Sequence, residues 1–277
     1  MMHQDQYGPA GLQEPSGARV RSVRRLTARK NREEDGQFLA EGPQAVREAL
    51  AYGDVVALWV EEDAAERHAD LVELATERAV PVYGIGARLL AQLSDTVTPQ
   101  GIVAQVTTPT YALEDVVAAA PRLVLVCAQI RDPGNLGAVL RCADAFGADA
   151  VVCTKGSVEW TNPKVVRASV GSVFHLPVVT GLGLDEATAR LREAGLQILA
   201  ADGGGDDLQD YAARGLLAHP TAWVMGNEAW GLPEEDSAMA DAVVGVPIWG
   251  RAESLNLATA AAVCLWTTAS AQRTPGE

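Results

Sequence analysis

Short apolar runs alternate with amphipathic stretches along most of this 277-residue chain. Between residues 18 and 106 the pattern predicts a small α/β unit, with helices at 18–32, 43–51, 64–78 and 87–93 and strands at 37–40, 55–60, 80–83 and 102–106. A second series opens at residues 123–128, a continuous apolar run typical of a strand covered on both faces. It continues with strands at 150–153, 176–179, 197–200, 222–225 and 242–246 and helices at 136–146, 163–169, 184–194, 208–213 and 255–269. This alternation predicts a mostly parallel sheet with helices on both faces.

The length favours two domains, because domains usually hold roughly 100 to 200 residues. Residues 1–17 are rich in Gly and Pro and poor in large apolar groups, which predicts a disordered tail. We therefore expect a first domain at 18–106, a linker at 107–121, a second domain at 122–270 and a short tail at 271–277.

Composition narrows the class of protein. No apolar run approaches the roughly 18 to 20 residues that span a bilayer, and the polar start lacks the features of a secretory leader. We expect a soluble, cytoplasmic protein without membrane attachment. The four cysteines show neither CxxC nor zinc-ligand spacing, so they are expected to be reduced core residues, and no metal site is predicted.

Positive charge is concentrated near the start of an acidic chain. The formal net charge is -14, yet residues 19–32 contain seven cations and no acid. The cations are Arg19, Arg21, Arg24, Arg25, Arg29, Lys30 and Arg32. A basic patch on an acidic body is suited to binding a polyanion such as RNA, and a solvated helix face explains the same pattern. Charge alone leaves both interpretations open.

Three segments, at residues 132–141, 224–232 and 246–257, follow apolar runs at the point where open α/β sheets build ligand sites. The glycine fingerprint GxGxxG of dinucleotide-binding folds does not follow the strand at residues 123–128. Its absence weakens the hypothesis that the protein is a nucleotide-dependent oxidoreductase. In the first segment, Pro133 fixes φ, Gly134 permits a positive φ and Asn135 is a candidate helix cap.

The other two segments supply further polar groups. Gly226 permits close approach of a ligand or another chain, and Glu228 adds a carboxylate beside it. Ser254 is of the right type to cap the helix that follows. Each of these features has an ordinary structural explanation when it is taken alone.

Taken together and in this order, the three segments resemble the motifs of the SpoU (TrmH) family of RNA ribose 2'-O-methyltransferases, within the SPOUT superfamily. The similarity covers roughly residues 122–270, and residues 29–32, 38–43 and 98–102 resemble the substrate-binding domain that precedes the catalytic domain in many members. The resemblance implies a deep trefoil knot that holds S-adenosylmethionine (AdoMet), a homodimer, and an RNA substrate reached through residues 18–106. Ribosomal RNA is favoured over transfer RNA by the separate amino-terminal domain.

The resemblance also implies roles for particular residues. The catalytic residues would be Arg141, Asn135, Glu228, Ser254 and Asn256. The cofactor contacts would be Gly226, Val246 and Leu255. The RNA-binding residues would be Arg24, Arg25, Arg29, Lys30 and Arg32. Arg141 is interpreted as an electrostatic clamp rather than a base, because a guanidinium stays protonated in proteins. Asn135 and Asn256 would orient the ribose and the loops. Glu228 would hold Arg141 or Asn135, and Ser254 would contact substrate or cap the last helix.

Some features keep two interpretations. Residues 160–171 resemble a family segment in which Arg167 and Ser169 lie near the site, and a helix with an exposed cation explains them too. The glycine-rich stretch 202–206 is expected to be a flexible loop, either bordering the adenosine or serving as a plain linker. Four tryptophans near the motifs hint at a dimer interface or at one core: Trp223, Trp230, Trp249 and Trp266. A transfer RNA methyltransferase and a noncatalytic RNA-binding protein with the same fold are the alternative functions.

Overall fold

The computed structural model describes residues 12–273, which form two compact units. Residues 12–109 and Thr161–Phe174 form the first unit. Residues 110–160 and 175–273 form the second.

The first unit has a mixed four-stranded sheet. Its strands are β1 (Gln37–Glu41), β2 (Val55–Glu61), β3 (Val82–Ile85) and β4 (Ile102–Thr107), and its helices are α1 (Gly17–Arg25), α2 (Arg29–Asp35), α3 (Pro43–Tyr52), α4 (Ala69–Glu77), α5 (Ala87–Leu93) and α8 (Pro163–Ser169). The strand order is β1-β4-β2-β3, in which β4 runs antiparallel to both neighbours and β2 runs parallel to β3. The predicted α/β character of this unit is confirmed.

The amino-terminal segment of the first unit differs from the prediction. Residues 1–11 of the expected disordered tail lie outside the described residues. From there on the chain is ordered: Leu12 is buried, and Gln13 forms a parallel bridge to Tyr83 in β3. Ser16 then caps α1 by accepting a hydrogen bond from the backbone N–H of Arg19. The edge strand β3 supplies backbone partners that composition alone does not reveal.

The predicted single helix at 18–32 is two helices. The first ends at Arg25 and the second begins at Arg29, with Ala28 in an extended conformation between them. Arg32 is buried and donates from Nη1 to the carbonyl oxygens of Leu26 and Thr27, at 3.0 Å each. Its guanidinium therefore satisfies carbonyl groups left without helical partners at the end of α1.

The second unit has a six-stranded sheet in which every neighbouring pair is parallel. Its strands are β5 (Leu123–Cys127), β6 (Ala150–Cys153), β7 (Val178–Thr180), β8 (Gln197–Asp207), β9 (Thr221–Met225) and β10 (Ala242–Gly245), in the order β10-β8-β9-β5-β6-β7. Its helices are α6 (Leu113–Ala118), α7 (Pro133–Ala145), α9 (Leu184–Glu193), α10 (Leu208–Ala213), α11 (Glu234–Ser237) and α12 (Leu257–Gln272). The predicted parallel α/β architecture is confirmed.

The core of the second unit lies on both faces of this sheet. On one face Val124 packs in a cluster with Leu113 of α6 and Leu191 of α9. On the opposite face the buried Trp223 donates from Nε1 to Thr268 of α12 at 2.9 Å. Successive residues of a strand point to opposite faces, which explains why β5 and β9 are buried along their whole length.

The structure differs from the predicted division of the chain at three places. Helix α6 lies inside the expected linker at 107–121, because Leu113 is buried in the core. Strand β8 continues through 202–206, where a flexible loop was expected. The segment Thr161–Phe174, assigned above to the second domain, is part of the first unit, where the ring of Phe174 stacks on Phe38 with centroids 5.9 Å apart.

Within residues 12–273, no helix combines the length and apolarity needed to cross a membrane. Residues 274–277 of the predicted carboxyl-terminal tail lie outside the described residues. The threading of the chain into a trefoil knot stays a prediction.

Candidate active site

The three motif segments meet at the carboxyl edge of the parallel sheet. They follow β5, β9 and β10, and parallel strands present these ends on one side of a sheet. There they border a cavity of about 720 Å³, a size suited to a small-molecule ligand. Of the predicted site residues, the cavity lining includes Asn135, Gly226, Glu228, Val246, Ser254, Leu255 and Asn256.

The first segment forms the turn between β5 and α7. Asp132 is the cap of α7 and accepts from the backbone N–H of Asn135 at 2.8 Å, so the expected capping by Asn135 is wrong. Pro133 occupies the first turn, where its missing N–H costs nothing. Gly134 is helical, and the positive φ in this turn belongs to Gln129, at 54°. Because Asp132 does the capping, the side chain of Asn135 is left for other partners.

The second segment is a tight loop after β9. Asn227 and Gly231 exchange two backbone hydrogen bonds of 2.9 Å, which bring the chain back over Gly226. A Cβ on Gly226 would lie 2.5 Å from the carbonyl carbon of Gly231, so a side chain is excluded there. The close approach inferred for this glycine is therefore made by the protein's own backbone.

Asn227 is a residue that the sequence reasoning did not assign. It is buried, and it donates from Nδ2 to the carbonyl oxygen of Gln129 at 2.7 Å, linking the loop after β9 to the loop after β5. An Asn between a strand end and a Gly-containing turn is the only signal for it in the sequence.

The third segment enters α12 through Asn256. Its Oδ1 accepts from the backbone N–H groups of Ala258 at 2.9 Å and Thr259 at 3.4 Å, which makes Asn256 the helix cap. The expected capping by Ser254 is wrong, because the helix begins two residues later than predicted, at Leu257. Ser254 remains exposed at the cavity.

Side-chain hydrogen bonds connect all three segments. Asn256 donates from Nδ2 to Oδ1 of Asn135 at 3.1 Å, and Asn135 donates from Nδ2 to Oε1 of Glu228 at 3.3 Å. Glu228 also accepts from the backbone N–H groups of Asp132 at 3.1 Å and Arg131 at 3.3 Å. We call this set of contacts the Glu228–Asn135–Asn256 network. Of the two partners proposed for Glu228, Asn135 is the one it contacts.

Arg141 does not line the cavity. It is exposed on α7, and its side chain makes no hydrogen bond or ion pair among residues 12–273. A single chain therefore brings Asn135, Glu228 and Asn256 together and leaves the guanidinium of Arg141 unengaged.

The predicted RNA-binding cations divide into three groups. Arg24 is exposed, and its side chain has no partner among the described residues. Arg25 contacts Glu34 at 3.3 Å, and Glu34 also lies 3.6 Å from Lys30. Arg29 is likewise paired with a neighbouring acid in the same helix. Arg32 is buried, so its assignment as a phosphate contact is corrected.

The segment that carries Arg167 and Ser169 lies in the first unit. Arg167 is 3.6 Å from the carboxylates of both Glu41 and Asp95, and Glu41 is buried. Ser169 is buried and donates to the carbonyl oxygen of Val166 at 2.7 Å. Both side chains thus have structural partners inside the first unit.

Raised pKa values argue against three of the four cysteines as nucleophiles. A hydrogen bond with Cys153, together with burial, holds the pKa of Cys127 well above its usual value. Burial raises the pKa of Cys264 to about 12, and it also raises the pKa of Cys142 against the opposing effect of Arg141. Thiols of this kind stay protonated and unreactive near neutral pH. No cluster of residues able to hold a metal ion occurs among residues 12–273.

Comparison with known proteins accounts for most of the chain. A family model described as the SpoU rRNA Methylase family matches residues 122–266, and one described as the MRM3-like substrate binding domain matches residues 17–104. The chain is 32% identical over 257 residues to the 23S rRNA (guanosine(2553)-2'-O)-methyltransferase RlmP of Bacillus subtilis, which covers 92% of this chain and 97% of that protein.

Solved structures show the same relationship. The AdoMet-bound rRNA methyltransferase from Sinorhizobium meliloti superposes with a TM-score of 0.80 at 28% identity, covering 95% of this chain and 99% of that one. The SpoU methyltransferase AviRb from Streptomyces viridochromogenes, in complex with AdoMet, gives 0.76 at 27% identity over 92% and 98%. The chain is therefore a member of the SpoU rRNA methylase family.

Proposed function

We propose that this protein transfers a methyl group from AdoMet to the 2'-hydroxyl of a ribose in ribosomal RNA. The observation that carries the proposal is the Glu228–Asn135–Asn256 network in the lining of a ligand-sized cavity. It joins the three family motifs through side chains that have the types expected for positioning a sugar. Relatives named as 23S rRNA 2'-O-methyltransferases support ribosomal RNA as the substrate class.

The cavity fits AdoMet in size and in construction. No side chain fits at Gly226, and Gly226, Val246 and Leu255 form part of the lining. Such surfaces hold an adenosine through backbone groups and apolar contacts. When bound, AdoMet supplies an electrophilic methyl group on a sulfonium.

The residues of the Glu228–Asn135–Asn256 network would position the RNA. The amide of Asn135 is held from both sides, by Glu228 and by Asn256, so a ribose that contacts it meets a fixed group. Fixing the hydroxyl in line with the methyl group removes much of the entropic barrier to transfer. Arg141 would stabilise the negative charge that develops as the hydroxyl loses its proton.

Arg141 reaches such a position in a homodimer, which we propose as the active form. The guanidinium is exposed and has no hydrogen-bond or ion-pair partner among residues 12–273, so a second copy can supply one. Exposed aromatic side chains support an association surface in the second unit: Trp266 on α12 is 59% exposed and Trp249 is 81% exposed.

We also propose that the first unit binds RNA through exposed cations of α1, including Arg21 and Arg24. Arg25, Arg29 and Lys30 would add to the local positive potential although acids contact them. An enzyme acting on ribosomal RNA is expected in the cytoplasm.

The test uses AdoMet labelled on the methyl group. The purified protein is incubated with ribosomal RNA and, separately, with transfer RNA, and the digested nucleosides are analysed. We expect label in a 2'-O-methylnucleoside from ribosomal RNA. Label only in transfer RNA would favour the alternative substrate, and label on a base would contradict ribose methylation.

A further inference from the structure

The lining of the cavity carries an unbalanced charge. Three carboxylates border it, those of Asp202, Glu228 and Glu253, and no Lys, Arg or His is among the described residues that line it. The carboxylate of Glu228 is engaged by the backbone and by Asn135. The other two make no ion pair with a cation among residues 12–273.

Asp202 is the better placed of these two. Its Oδ1 accepts from the backbone N–H of Gly204 at 3.0 Å, which orients the carboxylate. Its Oδ2 lies 3.6 Å from the position that a Cβ on Gly231 would take, so this oxygen lies beside the loop after β9. Both side chains are exposed, but no hydrogen bond orients the carboxylate of Glu253 among residues 12–273.

The backbone beneath Asp202 is fixed by close contact between strands. A Cβ on Gly205 would lie 2.3 Å from the carbonyl oxygen of Val243, and a Cβ on Gly245 would lie 2.8 Å from the carbonyl oxygen of Asp202. The register of β8 against β10 shifts between Val243 and Val244, which leaves residues 201–205 as a bulge, and the two glycines allow the backbones to pack closely there. Close backbone packing therefore places Asp202 at the edge of the cavity.

The two states of the cofactor differ in charge. When a methyl group is transferred, the C–S bond breaks, a C–O bond forms, and the hydroxyl proton leaves to solvent or a base. The electron pair of the C–S bond stays on sulfur, so the sulfonium cation becomes a neutral thioether. AdoMet thus carries one more positive charge than its product, S-adenosylhomocysteine.

We propose that Asp202 makes the cavity selective for the charge of the cofactor, so that the carboxylate favours AdoMet over S-adenosylhomocysteine. The proposal rests on the proposed function only through the identity of the cofactor. If the sulfonium binds within several ångströms of this carboxylate, partly screened by water, the charge would change the binding constant by about three- to tenfold. The attraction disappears with the transferred methyl group, which favours exchange of product for a new donor.

The test measures binding and needs no RNA. Isothermal titration of the full chain gives dissociation constants for AdoMet and for S-adenosylhomocysteine with the wild type and with Asp202→Asn. The asparagine keeps an oxygen that can accept from Gly204, so the local turn is retained. We expect AdoMet to bind about fivefold more weakly to the variant and S-adenosylhomocysteine to change less than twofold.

Two further variants are matched controls. Asp206→Asn removes the same charge from the same strand outside the cavity lining, and it should leave both constants within twofold. Asp202→Glu keeps the charge and should keep the ratio of the two constants near that of the wild type. Circular dichroism confirms that each variant is folded.

Each outcome decides the proposal. Equal weakening of both ligands by Asp202→Asn would show a hydrogen-bonding role shared by substrate and product, and unchanged constants would show no role; either overturns the proposal. These results would leave the proposed function untouched. If the wild type binds neither ligand, the cofactor assignment itself fails and this proposal fails with it.

Discussion

Asn256 donates its amide proton to Asn135 across 121 positions of the sequence, at a distance of 3.1 Å. The same Asn256 caps α12 through its oxygen. One side chain thus starts the last helix and holds the residue that we expect to orient the ribose. Because the oxygen is engaged by the cap, the amide nitrogen is left to donate to the first motif.

The two roles of Asn256 can be separated by substitution. Asn256→Asp keeps an acceptor for the backbone of Ala258 and Thr259 but has no proton for Asn135, whereas Asn256→Ala loses both functions. We expect Asn256→Asp to stay within about 0.5 kcal/mol of the wild type in unfolding free energy and Asn256→Ala to lose about 1 kcal/mol. Both should reduce kcat at least about tenfold, because the ribose contact is no longer fixed. Full activity of Asn256→Asp would contradict the positioning role.

Substitution of Arg141 should affect chemistry without affecting the cofactor. Arg141→Ala is expected to lower kcat by a factor of roughly 100 or more, since it removes the charge that we propose stabilises the developing alkoxide. AdoMet affinity, measured by titration, should change less than about twofold, because Arg141 does not line the cavity. Arg141→Lys, which keeps the charge without the planar fork, should recover part of the rate. Equal loss of binding and rate would make the arginine structural.

The cations of the first unit should respond differently to substitution. Replacing Arg21 and Arg24 with Ala is expected to weaken RNA binding and to lower the slope of log affinity against log salt by about 1 to 2, as phosphate contacts are lost. Arg190→Ala, which removes a cation of α9 in the second unit, is the control and should leave the slope unchanged.

Burial of Arg32 yields a separate expectation. Arg32→Met should lower the unfolding free energy by about 1 to 3 kcal/mol, because carbonyl groups of Leu26 and Thr27 lose their donor. Urea unfolding measures this change. Stability equal to that of the wild type would show that the buried guanidinium contributes nothing to the junction between α1 and α2.

The thiol of Cys264 should make stability depend on pH. Its folded pKa of about 12 lies above the ordinary value of 9.0, so the protonated thiol favours the folded state. The contribution is complete below pH 9 and is lost as the pH rises from 9 toward 12. The difference in unfolding free energy between the wild type and Cys264→Ala should shift by about 1.4 kcal/mol per pH unit in this window. A difference independent of pH would contradict the shift.

Much of the architecture follows from periodicity. Fully apolar runs such as β5 and β9 predict a parallel sheet because burial on both faces removes the alternation of polar and apolar positions. The pattern fails where backbone pairing replaces side-chain burial. The composition of the glycine-rich part of β8 predicts a loop. In the structure this part belongs to the strand, because the backbone of β10 packs closely against it.

Most residues that line the site could be predicted from the sequence, but the hydrogen bonds between them could not. Residue type favoured Asn135 and Ser254 as helix caps, while the structure uses Asp132 and Asn256. Each true cap lies within three residues of the expected one, and only the start of the helix decides between them. The position of Arg32 required knowledge that the basic helix is broken, which charge spacing does not supply.

The most direct test of the central claim is where the methyl group goes. Ribosomal RNA treated with the protein and AdoMet is cleaved in alkali, and the protected position is read by primer extension. Since alkaline cleavage requires a free 2'-hydroxyl, we expect one new alkali-resistant linkage that depends on AdoMet and is absent with Arg141→Ala. Methyl incorporation that leaves every linkage sensitive to alkali would contradict the account.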